Sequence, residues 1–282
     1  MAADILCALK AKNQLPDHYY ILELSAFLKS MQRETIEKKI PDYLDRVVWL
    51  TALPEHPIRG VIVANEVLDA MPAHQFIYKN NRIHECSVTI KNNQLTHDIF
   101  EDENPDLVSA VEKYDIAFSE NYLSEINLYL PGWIKSISSC LAQGAAIIID
   151  YGFPRHEYYH PDRSSGTLMC HYRHRAHTNP LVFPGIQDIT AHVDFTAVAE
   201  SAVENQFSVA GFANQAAFLI NCGLLSLISK TSDEKKHFLQ NQQVLKLTSP
   251  NEMGELFKVM GLSKNMDMAW MGFQTMNRAM RL

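Results

Sequence analysis

Short apolar runs alternate with amphipathic segments along much of the chain. Apolar runs that predict buried strands cover residues 19–24, 47–50, 60–64 and 145–150. Helical periodicity covers residues 2–9, 25–39 and 123–141, with Ser25 as the N-cap of the second segment and Gly144 beyond the end of the third. Strand and helix in alternation predict an α/β fold with a doubly wound, Rossmann-like sheet.

Residues 75–100 depart from this alternation. They contain three runs of alternating polarity, separated by Asn80-Asn81 and by Asn92-Asn93. Asparagine pairs tolerate the positive φ angles of tight turns, so the pattern predicts a small antiparallel β-meander inserted into the sheet.

Residues 151–194 form a second departure, rich in His, Tyr, Arg, Pro and Gly and with little apolar periodicity. A segment of this length is long for a loop inside a compact domain, which favours a functional role on the substrate side of a site. Beyond it we expect a mostly helical C-terminal part with a closing strand near residues 269–273. The whole chain, residues 1–282, is predicted to be a single domain.

Composition and charge narrow the classes of partner. The 282 residues are 47% apolar and 20% charged, which is ordinary for a globular protein, and 25 basic against 32 acidic side chains give a net charge of −7. This balance disfavours a nucleic-acid partner. The five cysteines include no CxxC pair, and no apolar run is long enough for a bilayer span, so we expect a cytosolic protein without a membrane partner.

Carboxylates follow several of the predicted strands. Glu23 ends the first, Asn65 and Glu66 end the third, and Asp150 ends the run after the long helix. Open α/β sheets bind ligands at the carboxyl ends of their strands, and an acidic residue in the place of Glu23 can accept both hydroxyls of a ribose. Any one of these carboxylates alone is equally explained as a helix cap or a solvated group.

Residues 65–72, with the sequence NEVLDAMP, form the most specific motif. Glu66 and Asp69 are three residues apart and would share one face if this turn were helical. Two carboxylates can grip a guanidinium and take its proton as its nitrogen attacks an electrophile. The alternative is that Asp69 satisfies backbone donors and Glu66 caps a helix.

Further polar motifs flank the His-rich segment. They are Asp150-Tyr151-Gly152, Gly166-Thr167-Leu168 and residues 188–195, which include His192. The histidines of the region are His156, His160, His171, His174, His177 and His192. Their spacings match neither HExxH nor a compact facial triad, so we predict no metal site.

A set of motifs resembles the MidA-like family when taken in order: residues 20–25 with Gln32, the motif at residues 65–72, Asp150-Tyr151-Gly152, Tyr158-Tyr159, Gly166-Thr167-Leu168 and residues 188–195. That family consists of class I S-adenosyl-L-methionine-dependent methyltransferases. The resemblance implies S-adenosyl-L-methionine as cofactor and, by analogy with mitochondrial members, a protein arginine as methyl acceptor, for example on a respiratory-complex subunit. It implies a cytoplasmic protein in a bacterium or a mitochondrial-matrix protein in a eukaryote.

The resemblance also implies roles for single residues. Glu23, Ser25, Asn65 and Glu66 would bind the cofactor, and Glu66 with Asp69 would be catalytic. The substrate side would be formed by Asp150, Tyr151, Thr167 and His192.

In one respect the chain departs from the family pattern. The resemblance places a first strand and a glycine-rich turn ahead of the segment matched by residues 2–6, so we expect a truncated methyltransferase sheet. Backbone N–H groups of such a turn hold the cofactor, and we therefore expect methyl transfer to require residues upstream of Met1. The alternatives are a non-catalytic protein-binding chain or a decayed remnant, and a nicotinamide oxidoreductase on a similar sheet.

Overall fold

A computed structural model of the chain describes residues 1–100, 104–173, 175–228 and 233–282. The chain divides into two compact units, Met1–Ile58 and Arg59–Leu282.

The first unit packs two helices on a two-stranded parallel sheet. Its elements are α1 (Ala2–Ala11), β1 (Tyr19–Leu22), α2 (Ala26–Lys39), a 3-10 helix (Pro41–Arg46) and β2 (Val47–Leu50). Leu6, Ile36 and Val47 lie in its core. The Ser25 side chain accepts the N–H of Leu28, at 3.3 Å, which confirms the predicted N-cap of α2.

The second unit contains the remaining strands and helices. The strands are β3 (Ile58–Asn65), β4 (His74–Lys79), β5 (Arg82–Lys91), β6 (Gln94–Ile99), β7 (Tyr122–Ile126), β8 (Leu141–Phe153), β9 (Met169–Tyr172), β10 (Arg175–His177), β11 (Asp188–Thr190), β12 (Val193–Asp194), β13 (Ser208–Asn214) and β14 (Phe257–Lys264). The α-helices are α3 (Pro105–Glu112), α4 (Leu130–Ser139), α5 (Arg155–Tyr158), α6 (Phe195–Glu204), α7 (Gln215–Asn221), α8 (Glu234–Thr248) and α9 (Met253–Leu256). Short 3-10 helices cover Pro161–Arg163, Leu224–Leu227, Met271–Phe273 and Ala279–Arg281.

Strand β8 is the centre of the main sheet. It pairs with β3 and with the short parallel strand β12, and on its other edge with the antiparallel β14, which in turn pairs with β13. A Cβ on Gly144 would lie 1.8 Å from the carbonyl oxygen of Gly60, so only glycine permits this approach of β8 to β3. The N–H of Glu66 donates to Ile149 O at 2.9 Å, further along both strands than the contact of Gly60 with Gly144, so β3 and β8 run in the same direction.

Residues 74–126 supply a separate antiparallel sheet in the order β6-β5-β4-β7. Asn80, Asn81, Asn92 and Asn93 have φ angles of 52°, 58°, 51° and 58°, as the predicted turns require. Strand β9 is flanked by β10 and β11 in a third, three-stranded sheet within the His-rich segment.

The prediction of one helix over residues 123–141 is wrong. Residues Tyr122–Ile126 are a strand, paired with β4, and only Leu130–Ser139 are helical. The Asn127 side chain accepts the N–H groups of Tyr129 and Leu130, both at 3.0 Å, which begins α4 afresh after the strand. Helical periodicity extended over this boundary because both elements are apolar.

The C-terminal part is helical over α6, α7, α8 and α9, as predicted, but it also contains two strands, and the closing strand predicted near residues 269–273 is wrong. Two strands, β13 and β14, extend the sheet, and Met271–Phe273 is a 3-10 helix. Every residue of β14 is buried, so the strand lacks the alternation that a half-exposed strand shows. A Cβ on Gly211 or Gly261 would lie within 2.6 Å of the Phe273 ring, so these glycines make room for that ring against the strand pair.

Candidate functional site

Glu23 lies just beyond the carboxyl end of β1, within the first unit. Its Oε1 accepts the N–H of Ser25 at 2.9 Å, and its Oε2 accepts the Nε2 of Gln32 at 2.8 Å. Gln32 in turn accepts the indole N–H of Trp49 at 3.0 Å. The structure therefore brings Glu23, Ser25 and Gln32 together. A carboxylate oxygen has two lone pairs, so each Glu23 oxygen keeps one acceptor position for a further hydroxyl.

Glu66 occupies the corresponding end of β3, in the second unit. Its φ angle of 50° is in the left-handed region, which costs about 1 kcal/mol or more for a residue with a Cβ. The Nδ2 of Asn65 donates to Glu66 Oε1 at 3.1 Å, and both residues are exposed. A strained backbone here presents a carboxylate to solvent at the carboxyl ends of parallel strands.

The expectation that Glu66 and Asp69 share one helical face is wrong. Residues 66–69 form a bend and turn, in which Glu66 is exposed and Asp69 is only 5% exposed. The Asp150 carboxylate holds this turn, because its Oδ2 accepts the N–H groups of Leu68 at 3.0 Å and Asp69 at 3.2 Å. These N–H groups are thus bound to a side chain, which a helical turn would not require.

The Asp69 side chain is engaged on one oxygen. Tyr151 donates its hydroxyl to Asp69 Oδ2, and the Asp69 carbonyl accepts the N–H of Ala191 at 3.1 Å. Asp69 Oδ1 is buried and has no hydrogen-bond partner among the described residues. Asp69 therefore holds the turn to β8 and to the segment before β12.

Burial shapes the protonation of this cluster. Asp150 is fully buried, and burial, with the nearby Asp69 charge, raises its pKa to about 7. Burial also raises the pKa of Tyr151, so the phenol stays a hydrogen-bond donor at neutral pH. The Asp150 carboxyl is the group of this cluster that changes charge near neutrality.

The predicted substrate-side residues Tyr151, Thr167 and His192 also lie together. Thr167 Oγ1 accepts the N–H of His192 at 3.1 Å, and the rings of Tyr151 and His192 meet edge to face with centroids 5.2 Å apart. Burial, with the charges of Arg163 and Lys258, lowers the pKa of His192 to about 4. His192 is consequently neutral at physiological pH.

Glu125 is a buried residue that sequence reasoning missed, because the residue fell inside the wrongly predicted helix. It is 1% exposed and accepts the Thr167 N–H at 2.8 Å, the Thr167 hydroxyl at 3.0 Å, the Leu168 N–H at 3.3 Å and the Gln75 amide at 3.3 Å. Burial raises its pKa. Glu125 and His192 line one small cavity, and Glu125 fixes Thr167, which binds the His192 backbone. The sequence signal that could have found Glu125 was the motif Gly166-Thr167-Leu168, whose N–H groups and hydroxyl need an acceptor once they are buried.

Several predictions stay predictions. Glu23 belongs to one unit and Asn65 with Glu66 to the other, so their common crevice is untested. Among the described residues, no cluster of His, Cys, Asp and Glu is placed to hold a metal ion, and none of the helices is long and apolar enough to span a bilayer. His174 lies outside the described residues.

A mixed sheet, with β3 and β8 parallel and β13 and β14 as an antiparallel pair, places the chain among the α/β proteins, whose open sheets bind ligands at the carboxyl ends of their strands. The chain belongs to the family described as "Putative S-adenosyl-L-methionine-dependent methyltransferase", whose model matches residues 1–213.

Solved structures and curated proteins resemble the chain over most of its length. A crystal structure from Burkholderia thailandensis, described as a methyl transfer enzyme candidate bound to S-adenosyl-homocysteine, is 40% identical with a TM-score of 0.94 and covers 100% of this chain and 73% of its own. "Protein arginine methyltransferase NDUFAF7 homolog, mitochondrial" from Drosophila melanogaster is 23% identical over 93% of this chain and 64% of its own. The Danio rerio protein arginine methyltransferase NDUFAF7 is 27% identical over 75% and 49%.

These likenesses confirm the predicted resemblance, the α/β methyltransferase fold with a mixed sheet, and S-adenosyl-L-methionine as the cofactor of the family. The chain spans 64% and 49% of the length of the two curated relatives.

Proposed function

We propose that the chain carries out S-adenosyl-L-methionine-dependent methyl transfer to an arginine side chain of a protein. The observation that carries this proposal is Glu66, an exposed carboxylate in a left-handed turn at the carboxyl end of β3. Family membership supports the transfer of a methyl group, and the names of the curated relatives support arginine as the acceptor.

The cofactor role falls to two groups of residues. Glu23, oriented by Ser25 and Gln32, fits a ribose because each of its oxygens keeps one free acceptor position. Asn65 and Glu66 would line the cofactor at the end of β3. S-adenosyl-L-methionine supplies the methyl group on its sulfonium sulfur.

The acceptor role falls to Glu66. Its carboxylate accepts N–H groups of the guanidinium and takes the proton that the methylated nitrogen loses, while the methyl–sulfur bond breaks and its electron pair stays on sulfur. Because Glu66 is exposed, it can pass this proton to water. Asp69 is too buried to share this contact, so its part in catalysis is to fix the turn. Asp150, Tyr151, Thr167 and His192 support the substrate side.

We propose the cytoplasm as its location if its source is bacterial and the mitochondrial matrix if it is eukaryotic, with a protein such as a respiratory-complex subunit as substrate. Nucleic acid and membrane are not expected partners.

Calorimetric titration with S-adenosyl-homocysteine and transfer of labelled methyl groups to an arginine-containing peptide test the proposal. Both are measured on the 282-residue chain and, if its gene has an in-frame start further upstream, on the form extended to that start. We expect saturable binding near micromolar and labelled methylarginine in at least one form. Replacement of the peptide arginine by lysine should abolish the label.

The variant Glu66→Gln should reduce transfer at least about tenfold, since it removes the proton acceptor. Glu112→Gln, an exposed carboxylate on α3, is the matched control and should leave transfer unchanged. No cofactor binding in either form would contradict the proposal and favour a non-catalytic protein-binding chain. Equal rates for Glu66→Gln and Glu112→Gln would contradict the role of Glu66.

A further inference from the structure

Three consecutive residues near the carboxyl end of β8, Ile149, Asp150 and Tyr151, form hydrogen bonds with the turn that begins at Glu66. Ile149 accepts the N–H of Glu66 through its carbonyl, and Asp150 accepts those of Leu68 and Asp69 through Oδ2. Tyr151 donates its hydroxyl to the Asp69 carboxylate. The conformation of the turn is therefore fixed by contacts with β8, about 80 residues away in the sequence.

Of these three residues, Asp150 is the one whose side chain binds the backbone of the turn. Its carboxylate is fully buried, and its Oδ1 accepts the N–H of Tyr151 at 2.9 Å, so both oxygens are bound to backbone. The hydrogen bonds that Asp150 accepts from Leu68 and Asp69 spare these buried N–H groups the cost of an unmade bond. They offset the strain of the left-handed Glu66 residue, which lacks the freedom of glycine.

We propose that Asp150 is the positioning residue of Glu66: its carboxylate binds the Leu68 and Asp69 N–H groups and so keeps the Glu66 side chain directed at the acceptor. The assignment of Glu66 to the acceptor rests on the proposed function, whereas the hold of Asp150 on the turn does not.

Hydrogen exchange on the 282-residue chain tests the hold directly. In Asp150→Ala the amides of Leu68 and Asp69 should exchange at least about tenfold faster than in the wild type. Asp150→Asn should restore most of the protection, because its amide oxygen can accept both N–H groups. Asp233→Asn is the matched control, since Asp233 also accepts a backbone N–H, that of Lys236 at 3.1 Å, but lies at the start of α8.

A measurement on the wild type keeps the test open if Asp150→Ala does not fold. The amide resonances of Leu68 and Asp69 should shift together with a common midpoint as pH is raised, and this shift should be absent in Asp150→Asn. The other titratable groups near Asp150 are Asp69 in the turn, Tyr151 on β8, His192 and, opposite on β14, Lys258, whose Nζ donates to the carbonyls of Glu255 and Leu256. All four are present in both proteins, so only Asp150 can account for the difference.

The kinetic measurement separates this inference from the proposed function. In whichever form of the protein transfers methyl groups, Asp150→Ala should lower kcat at least about tenfold, and Asp150→Asn should recover part of kcat. Unchanged exchange in Asp150→Ala, or the same amide titration in Asp150→Asn and wild type, would overturn the inference. The expected exchange and titration without methyl transfer in any form would refute the proposed function and leave the hold on the turn standing.

Discussion

The surroundings of Glu23 and of Glu66 are built in opposite ways. Glu23 is oriented by Ser25 and Gln32, two and nine residues along the chain, and stays partly exposed. The Glu66 turn is oriented by Asp150, which lies 82 residues from Leu68 and is fully buried. Glu23 is thus oriented by residues of the helix that follows it, whereas the Glu66 turn is oriented by a strand that is distant in the sequence.

This difference predicts which substitutions should lower the stability of the protein. Water can replace the partners of an exposed carboxylate, whereas a buried donor that loses its acceptor bears the full desolvation cost. Substitutions of the buried carboxylates Asp150 and Glu125 should therefore lower stability as well as function. Changes around Glu23 should act on binding alone.

Glu125→Ala should cause the largest loss of stability. It leaves the N–H groups of Thr167 and Leu168 without their acceptor, and each buried donor without a partner costs about 1 to 3 kcal/mol. We expect the free energy of unfolding, measured with urea, to fall by at least about 3 kcal/mol. Glu120→Ala is the control, since Glu120 is exposed and accepts only the Asn80 N–H, and it should change stability by less than about 1 kcal/mol. Equal losses would refute the contrast between buried and exposed carboxylates.

Gly166→Ala against Gly185→Ala should give the next largest effect. Both glycines have positive φ, 74° and 82°, so alanine is strained by about 1 kcal/mol at either position. At Gly166 the new Cβ would lie 2.3 Å from Glu125 Oε1, whereas at Gly185 nothing lies within 4 Å. Gly166→Ala should therefore lower the Tm more than Gly185→Ala does. The additional loss of unfolding free energy should be about 1 to 3 kcal/mol. Similar values for the two would show that the Glu125 contact yields without cost.

The same contrast explains how far the sequence could be interpreted. The Ser25 cap and the asparagine turns were predictable, because each depends on neighbours in the chain. The strand at Tyr122–Ile126 and the two C-terminal strands were not, since β7 pairs with β4 and β14 is buried on both faces, which removes the period-2 signal.

Within the site, residue types were predictable and their geometry was not. Glu66 and Asp150 were identified from their places after apolar runs. Nothing in the spacing of Glu66 and Asp69 indicated that Asp150 would bind the intervening backbone and turn one carboxylate outward and the other inward. Glu125 was hidden by the wrong element, because its significance comes from Thr167, 42 residues later.

Glu23→Ala tests whether the partly exposed carboxylate of the first unit acts on cofactor binding and not on stability. In the form of the protein that binds S-adenosyl-homocysteine, the loss of two charge-assisted hydrogen bonds should weaken binding by about 1 to 3 kcal/mol, measured by calorimetry. Stability should change little. Glu37→Ala, which removes an exposed α2 carboxylate paired with Arg33, should leave both quantities unchanged. Unchanged affinity in Glu23→Ala would exclude the ribose role, and a large loss of stability would remove the contrast with Asp150.

The smallest net effect should be the pH dependence of stability, because two buried groups on the β8 side oppose each other. Asp150 keeps its proton in the folded protein up to about pH 7, while the unfolded chain loses it near 3.8. The folded state binds more protons between these values, so Asp150 makes the unfolding free energy fall as pH rises. His192 is neutral in the folded protein down to about pH 4 but is protonated below 6.5 when unfolded, so it makes the unfolding free energy rise over an overlapping range.

Single variants should separate the two slopes. With Asp150→Asn the remaining His192 contribution should make stability rise more steeply with pH than in the wild type, and with His192→Gln the remaining Asp150 contribution should make it fall. The charged and titratable neighbours Asp69, Tyr151, Arg163 and Lys258 are common to all three proteins, so the differences between the curves isolate the two replaced groups. Urea unfolding from about pH 4.5 to about pH 7.5 measures the slopes. If the three curves were parallel, burial would not control either proton, and the surroundings of Asp150 would differ from those of Glu23 in packing alone.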